Sequence, residues 1–184
     1  MAIKLYSLKK LIAIGGIILL TLGSCIGAGS PTEYEVKAAF IFNFTRFVEW
    51  PSEAFADSSS PFVIGVLGRD PFGSALDEII KGKNVDGRRL TIKRSDRIHD
   101  LTSCHILFIS SSVSDSLPRI IDKLKGDAVL TVGDMDRFAK RGGIIGFVMR
   151  DSKVSLEINI DVAKRDKLKI SSKLLKLAKI VEDR

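Results

Sequence analysis

Histidine, cysteine and tryptophan are scarce in this 184-residue chain, with two, two and one copies. Each scarcity removes a class of chemistry. His99 and His105, with scattered carboxylates, show no metal-ligand spacing. Two cysteines cannot build a disulfide framework. Neither a Walker loop nor a GxGxxG fingerprint is present. There is no internal repeat, and no low-complexity tract beyond Ser58 to Ser60. The early apolar run, Leu11 to Leu22, is short of the roughly 20 residues that span a bilayer, and Gly15 and Gly16 interrupt it.

What is present begins with a targeting segment over residues 1–25. Lys4, Lys9 and Lys10 precede the apolar run, a pattern that indicates export. The run ends in Leu22-Gly23-Ser24-Cys25, which is similar to a lipoprotein signal with Cys25 as the lipidated residue. Ordinary cleavage near Ala28 to Ser30 is the alternative. Residues 30–184 are then expected to form a single domain large enough for its own core. Without the three leader lysines, 26 basic residues face 22 acidic ones. That small excess leaves no nucleic-acid footprint. If Cys25 carries lipid, Cys104 has no mate in the chain. It is expected to be buried at the start of the apolar run His105 to Ile109, or else to bridge two molecules.

Residues 34–51 form one long apolar helix pattern stopped by Pro51. Thr32 is placed to cap it, with Glu33 and Glu35 in the first turn. At 100° per residue, Val36, Phe40, Phe44 and Phe47 share a face, flanked by Ile41 and Val48. Glu35, Thr45, Arg46 and Glu49 lie opposite. Phe42 falls on the polar side. It either packs under a loop or second helix, or serves as a partner contact. Phe42, Arg46 and Trp50 are the candidate partner-binding residues.

Beyond this helix, strand-like and helix-like runs alternate. Strands are expected at Phe62–Leu67, Arg89–Lys93 (as an edge), Ile106–Ile109, Ala128–Val132, Ile144–Met149 and Val154–Ile160. Helices are expected at Phe72–Ile80, after Asp115 or Ser116, at Met135–Lys140, after Asp161, and after Ser171 or Ser172. In the last of these, Leu174, Leu177, Ala178 and Val181 make an apolar stripe. Asp86-Gly87 reads as a turn. This rhythm indicates an α/β three-layer sandwich: a mainly parallel central sheet, helices on both faces, and an antiparallel hairpin at or near one edge.

Ligands of such sheets gather beyond the carboxyl ends of the strands. Arg69 and Asp70, then Ser110, Ser111 and Ser112, then Asp134 occupy the loops expected there. They are either a ligand site or the small polar turns the fold needs. A phosphate receiver is excluded, because Ser110 stands where its phosphorylated aspartate would be. A lipid-anchored serine hydrolase would need a nucleophile among Ser110 to Ser112. No Gly-x-Ser-x-Gly elbow is present, and nothing pins an acid to His99.

Three stretches carry a resemblance. They are Tyr34 to Pro51; Cys104 to Ser110 following Leu101; and a third series starting at Val129-Leu130-Thr131-Val132-Gly133-Asp134. That series continues through Gly142 to Phe147 and Leu156 to Ile160, and ends at Lys169 to Leu175. In order and spacing the chain resembles the YfiR/HmsC-like family of small exported proteins. The resemblance implies a non-enzymatic periplasmic repressor without a cofactor. Its partner would be the periplasmic domain of a membrane diguanylate cyclase, so that it controls cyclic di-GMP and biofilm formation. It also implies sequestration by an outer-membrane lipoprotein, and members can form homodimers. The cysteine pairs of some relatives are not matched, since Cys104 stands alone. A periplasmic small-ligand sensor, reading through the loops around Arg69 and Ser111, is the alternative.

Overall fold

Hydrophobic alternation sets the sheet. In the computed structural model, which describes residues 30–182, the strand β2 (Phe62–Leu67) points Ile64 and Val66 to one face and Val63 and Leu67 to the other. The strand β5 (Ile106–Ile109) does the same with Ile106 and Phe108 against Leu107 and Ile109. Both faces are therefore apolar, as a sheet covered on two sides requires. The leader and Cys25 lie outside the described residues.

The remaining elements follow in chain order. The helix α1 (Glu33–Phe47) leads into β1 (Val48–Glu49), and α2 (Ala75–Ile80) precedes the hairpin of β3 (Asn84–Val85) and β4 (Arg88–Ser95). After β5 come α3 (Leu117–Leu124), β6 (Leu130–Gly133), β7 (Ile145–Arg150) and β8 (Lys153–Ile158). The chain closes with α4 (Ile160–Arg165), β9 (Lys169–Ile170), α5 (Ser172–Leu175) and β10 (Ala178–Ile180). Eight strands form one sheet in the order β10-β8-β7-β6-β5-β2-β4-β3. Strands β7, β6, β5, β2 and β4 run parallel, while β8 folds back antiparallel on β7. One face is covered by α1, α2, α4 and α5, the other by α3 and the 3-10 turn Phe138–Arg141. The expected α/β three-layer sandwich with its hairpin is the fold observed.

Several local readings need correction. Thr32 does cap α1, in a reciprocal box with Glu35. The helix, however, buries Lys37, Ala38, Ile41, Phe44 and Thr45. The core face is thus turned away from Val36, Phe40 and Phe47, which are only half-buried. The helix also ends at Phe47, not at the proline. Val48 and Glu49 pair instead with Ile170 and Lys169 in a separate two-stranded sheet. Ser116 makes no capping bond; Ser110 caps the 3-10 turn that leads into α3. The short helix expected at Met135–Lys140 is that 3-10 turn at Phe138–Arg141. The last helix stops after Leu175, and Ala178–Ile180 becomes an edge strand parallel to β8. An uncovered β8 edge would leave a row of backbone groups unpaired, and pairing outweighed the helical periodicity. Leu177, placed in the core by that periodicity, is 68% exposed. The Asp86-Gly87 turn is present, with φ of 49° and 77°. β4 lies one strand in from the edge, because the two-residue β3 pairs with its start.

Candidate functional site

The chain passes from β2 to β4 on one side, then to β5 on the other. The crevice of this sheet therefore opens between the ends of β2 and β5. Here Gly68 turns with φ of 85°, and its missing side chain makes room for the Ser112 hydroxyl. The Arg69 N–H donates to Ser112 Oγ at 2.9 Å, and the Ser112 hydroxyl donates to Ser110 Oγ at 3.1 Å. The Ser112 N–H also reaches Ser110 Oγ at 3.3 Å. The serines thus staple one loop to the other. Arg69 and Ser111 are exposed. Asp70 turns away: its carboxylate accepts from the Phe72 N–H at 2.7 Å and from Arg94 Nε at 2.6 Å. Arg94 also grips Asp77 of α2, so it ties β4, the β2 loop and α2 together.

Asp134 belongs to a different cluster. Its Oδ2 accepts from Lys37 Nζ at 2.6 Å and from the Tyr34 hydroxyl at 3.0 Å. Lys37 also meets Glu33 at 2.5 Å and sits 4.3 Å from the Tyr34 ring centre. The side chains of Lys37 and Asp134 are 4% and 10% exposed. Burial disfavours the ammonium, but the hydrogen bonds to Asp134 and Glu33 outweigh it and hold the Lys37 pKa above its usual value. Burial, then the Asp134 charge, raises the Tyr34 pKa. Of the six loop candidates, Arg69, Ser110 and Ser112 are joined by hydrogen bonds, whereas the Asp134 carboxylate, at the end of the neighbouring strand, is taken up by Tyr34 and Lys37.

The opposite end of the sheet is organised by His105. Its ring packs against both Phe55 and Phe62, with ring centres at 4.4 and 4.7 Å. Nδ1 accepts the Val63 N–H at 3.0 Å, which leaves the proton on Nε2, facing the Ala54 carbonyl at 3.2 Å. Burial lowers the His105 pKa and favours this neutral form. The ring lies five residues before Ser110 along β5, roughly 16 Å away at strand rise. It cannot serve those serines. His99 is exposed and makes no hydrogen bond to them among the described residues. Cys104, next to His105, is 3% exposed, and burial pushes its thiol up to about 11. This is the buried small hydrophobe expected from its place.

Of the three partner-binding candidates, Phe42 is half-buried with Lys83 Nζ 4.3 Å from its ring centre. Arg46, one turn on, is exposed. Trp50 points inward: its Nε1 donates to the His105 carbonyl at 3.1 Å, and its ring meets Phe62 edge-on at 4.9 Å. Beside Phe42 lies an open groove of about 760 Å³, lined by α2, Lys83 and β4 residues Arg89 to Ile92. Sequence reasoning missed this groove, because β3 is too short to leave a periodic signal. The outer edge of β4 beyond Arg89 has no neighbouring strand among the described residues.

The sequence matches the YfiR/HmsC-like family over residues 34–179, and the chain belongs to that family. No curated protein matches it. Among solved structures it is similar to the ABC domain from Streptococcus pneumonia in complex with L-Trp, at 11% identity and a TM-score of 0.53. It is also similar to a conserved domain protein from Vibrio cholerae, at 15% identity and a TM-score of 0.50. Coverage is 80% and 81% of this chain, and 60% of each of those chains. These likenesses speak to the fold alone. No helix among the described residues is long and apolar enough to cross a membrane.

Proposed function

We propose that this protein represses an inner-membrane diguanylate cyclase by binding its periplasmic domain, and thereby limits cyclic di-GMP and biofilm formation. Family membership across residues 34–179 carries this reading. Two features of the structure support a binder in preference to a small-ligand sensor. The crevice loops are stapled by Ser110 and Ser112, and Asp70 and Asp134 are each engaged by a cation. Phe42 instead lies under Lys83, which lines an open groove beside a β4 edge free to accept a partner strand, and Arg46 is exposed one turn further along α1. A repressor works by differential affinity: about 5.5 kcal/mol in favour of the inactive cyclase moves a 99:1 population to 1:99. An outer-membrane lipoprotein that covers the same surface would release the cyclase, and homodimerisation would compete in the same way.

The test pairs Phe42→Asp with Arg46→Glu. Arg46 is exposed and has no ion pair among the described residues, so its reversal costs only the roughly 0.3–1 kcal/mol of a charge at the last turn of α1 and leaves the protein folded. In cells carrying the cyclase, both variants raise cyclic di-GMP towards the level of a strain lacking the repressor. Normal repression by both folded variants removes this surface from the mechanism.

A further inference from the structure

Charge in the described chain is distributed very unevenly. Residues 30–160 hold 18 basic and 18 acidic side chains, whereas residues 161–182 hold seven and three. The entire excess of the folded unit therefore sits on α4, β9, α5 and β10. These acids do little to neutralise it. Asp166 is buried and held by Arg165. Asp161 meets Lys164 at 3.7 Å with both side chains more than 70% exposed, a geometry in which an ion pair is weak. The corner also carries apolar surface. A groove of about 260 Å³ has Ile160, Leu168, Ile170 and Leu175 in its walls and Lys164 and Lys169 beside them. Leu177 and Ile180 are 68% and 45% exposed. Lys167, Lys173 and Lys176 are exposed within the same stretch of residues 161–182.

We infer that this corner docks on the surface of an anionic phospholipid bilayer. Lysines spread over a surface, each a mobile point charge on an apolar stem, suit a diffuse layer of phosphate headgroups. Protruding Leu177 and Ile180 supply the apolar contact that interfacial binding adds to charge. Protein interfaces are anchored differently, by buried aromatic and arginine side chains. Residues 161–182 contain no aromatic residue, and their one arginine is tied to Asp166. The corner lies on α4, β9, α5 and β10, apart from the groove lined by α2 and β4, so lipid contact and partner binding use different elements. Contact with the bilayer would confine the repressor to the plane in which a membrane-bound target diffuses.

The test uses the protein purified as exported, with vesicles of phosphatidylglycerol and phosphatidylethanolamine against vesicles of phosphatidylcholine. An N-terminal lipid would contribute equally to both, so the readout is the difference. The expected result is at least tenfold tighter binding to the anionic vesicles, removed by high salt. Lys167→Glu/Lys173→Glu/Lys176→Glu abolishes the preference. Lys81→Glu/Lys123→Glu/Lys153→Glu, an equal charge change on exposed sites elsewhere, retains it. Leu177→Asp weakens binding to the anionic vesicles without altering the melting temperature. Equal affinity for the two vesicle types overturns the inference. So does equal loss in both triple variants, which would reduce the effect to net charge. Loss of binding to the cyclase's periplasmic domain by the first triple variant, with vesicle preference intact, would assign the corner to protein and overturn it too.

Discussion

Lys37 occupies a position on α1 where a hydrophobe would fit the core. Its ammonium is stable there because Asp134, Glu33 and the Tyr34 ring surround it. Removing one partner of a buried pair costs more than the pair itself contributes. Asp134→Ala is expected to lower unfolding stability by about 2 kcal/mol, since Glu33 still holds the ammonium. Lys37→Met/Asp134→Leu should lie closer to wild type, and denaturant titration of both variants decides this. His105 gives a pH dependence of known sign. Its folded pKa is depressed, so its contribution is complete above the unfolded value near pH 6.5. That contribution is lost as pH falls through the folded pKa. His105→Asn keeps an acceptor for the Val63 N–H but does not titrate. Calorimetry from about pH 7 to about pH 5 should show a steeper fall in melting temperature for wild type than for this variant. An equal slope would dismiss the role of the imidazole. Neither role was legible in sequence. The partners of Lys37 and His105 lie 97 and 42 residues away, beyond the reach of any local pattern.

At the level of elements, strands read best. Continuous apolar runs such as Phe62–Leu67 and Ile106–Ile109 admit one solution when both faces are covered. Helix α1 was legible in its start and type, but not in which side faces the sheet. Its phenylalanines spread around the axis, so composition could not orient it, and the Lys37–Asp134 pair did. The final segment misled through its own regularity: Leu174, Leu177, Ala178 and Val181 have helical spacing, yet only Leu174 and Val181 are buried. Glycine carries a further element-level constraint. Gly133 ends β6 under the Phe138 ring, and a Cβ there would lie 2.6 Å from Cδ2 of that ring. Gly133→Ala should therefore destabilise by about 1–3 kcal/mol. Phe138→Leu in the same chain should recover part of that loss, a coupling that a double-mutant cycle measures. Additive losses would show that the ring moves aside freely.

For the molecule as a whole, the alternation of elements sufficed for the sandwich and its hairpin. The site was less accessible. The loops that should gather at a ligand crevice do gather, but hydrogen bonds between Ser110, Ser112 and Arg69 were invisible until β2 and β5 were set side by side. The groove beside Phe42 depends on the sheet's last two strands and on Lys83, which no linear pattern joins. Helix α1 links these levels. Tyr34 and Lys37 fasten its first turns to Asp134, and β1 fastens its far end to β9, reinforced by the Ser171 N–H donating to the Phe47 carbonyl at 2.8 Å. A rod pinned at both tips offers an incoming protein a ready-made, unyielding contour. Little backbone freedom is left there to forfeit on association, so the ordering cost at Phe42 or Arg46 would be confined to their side chains.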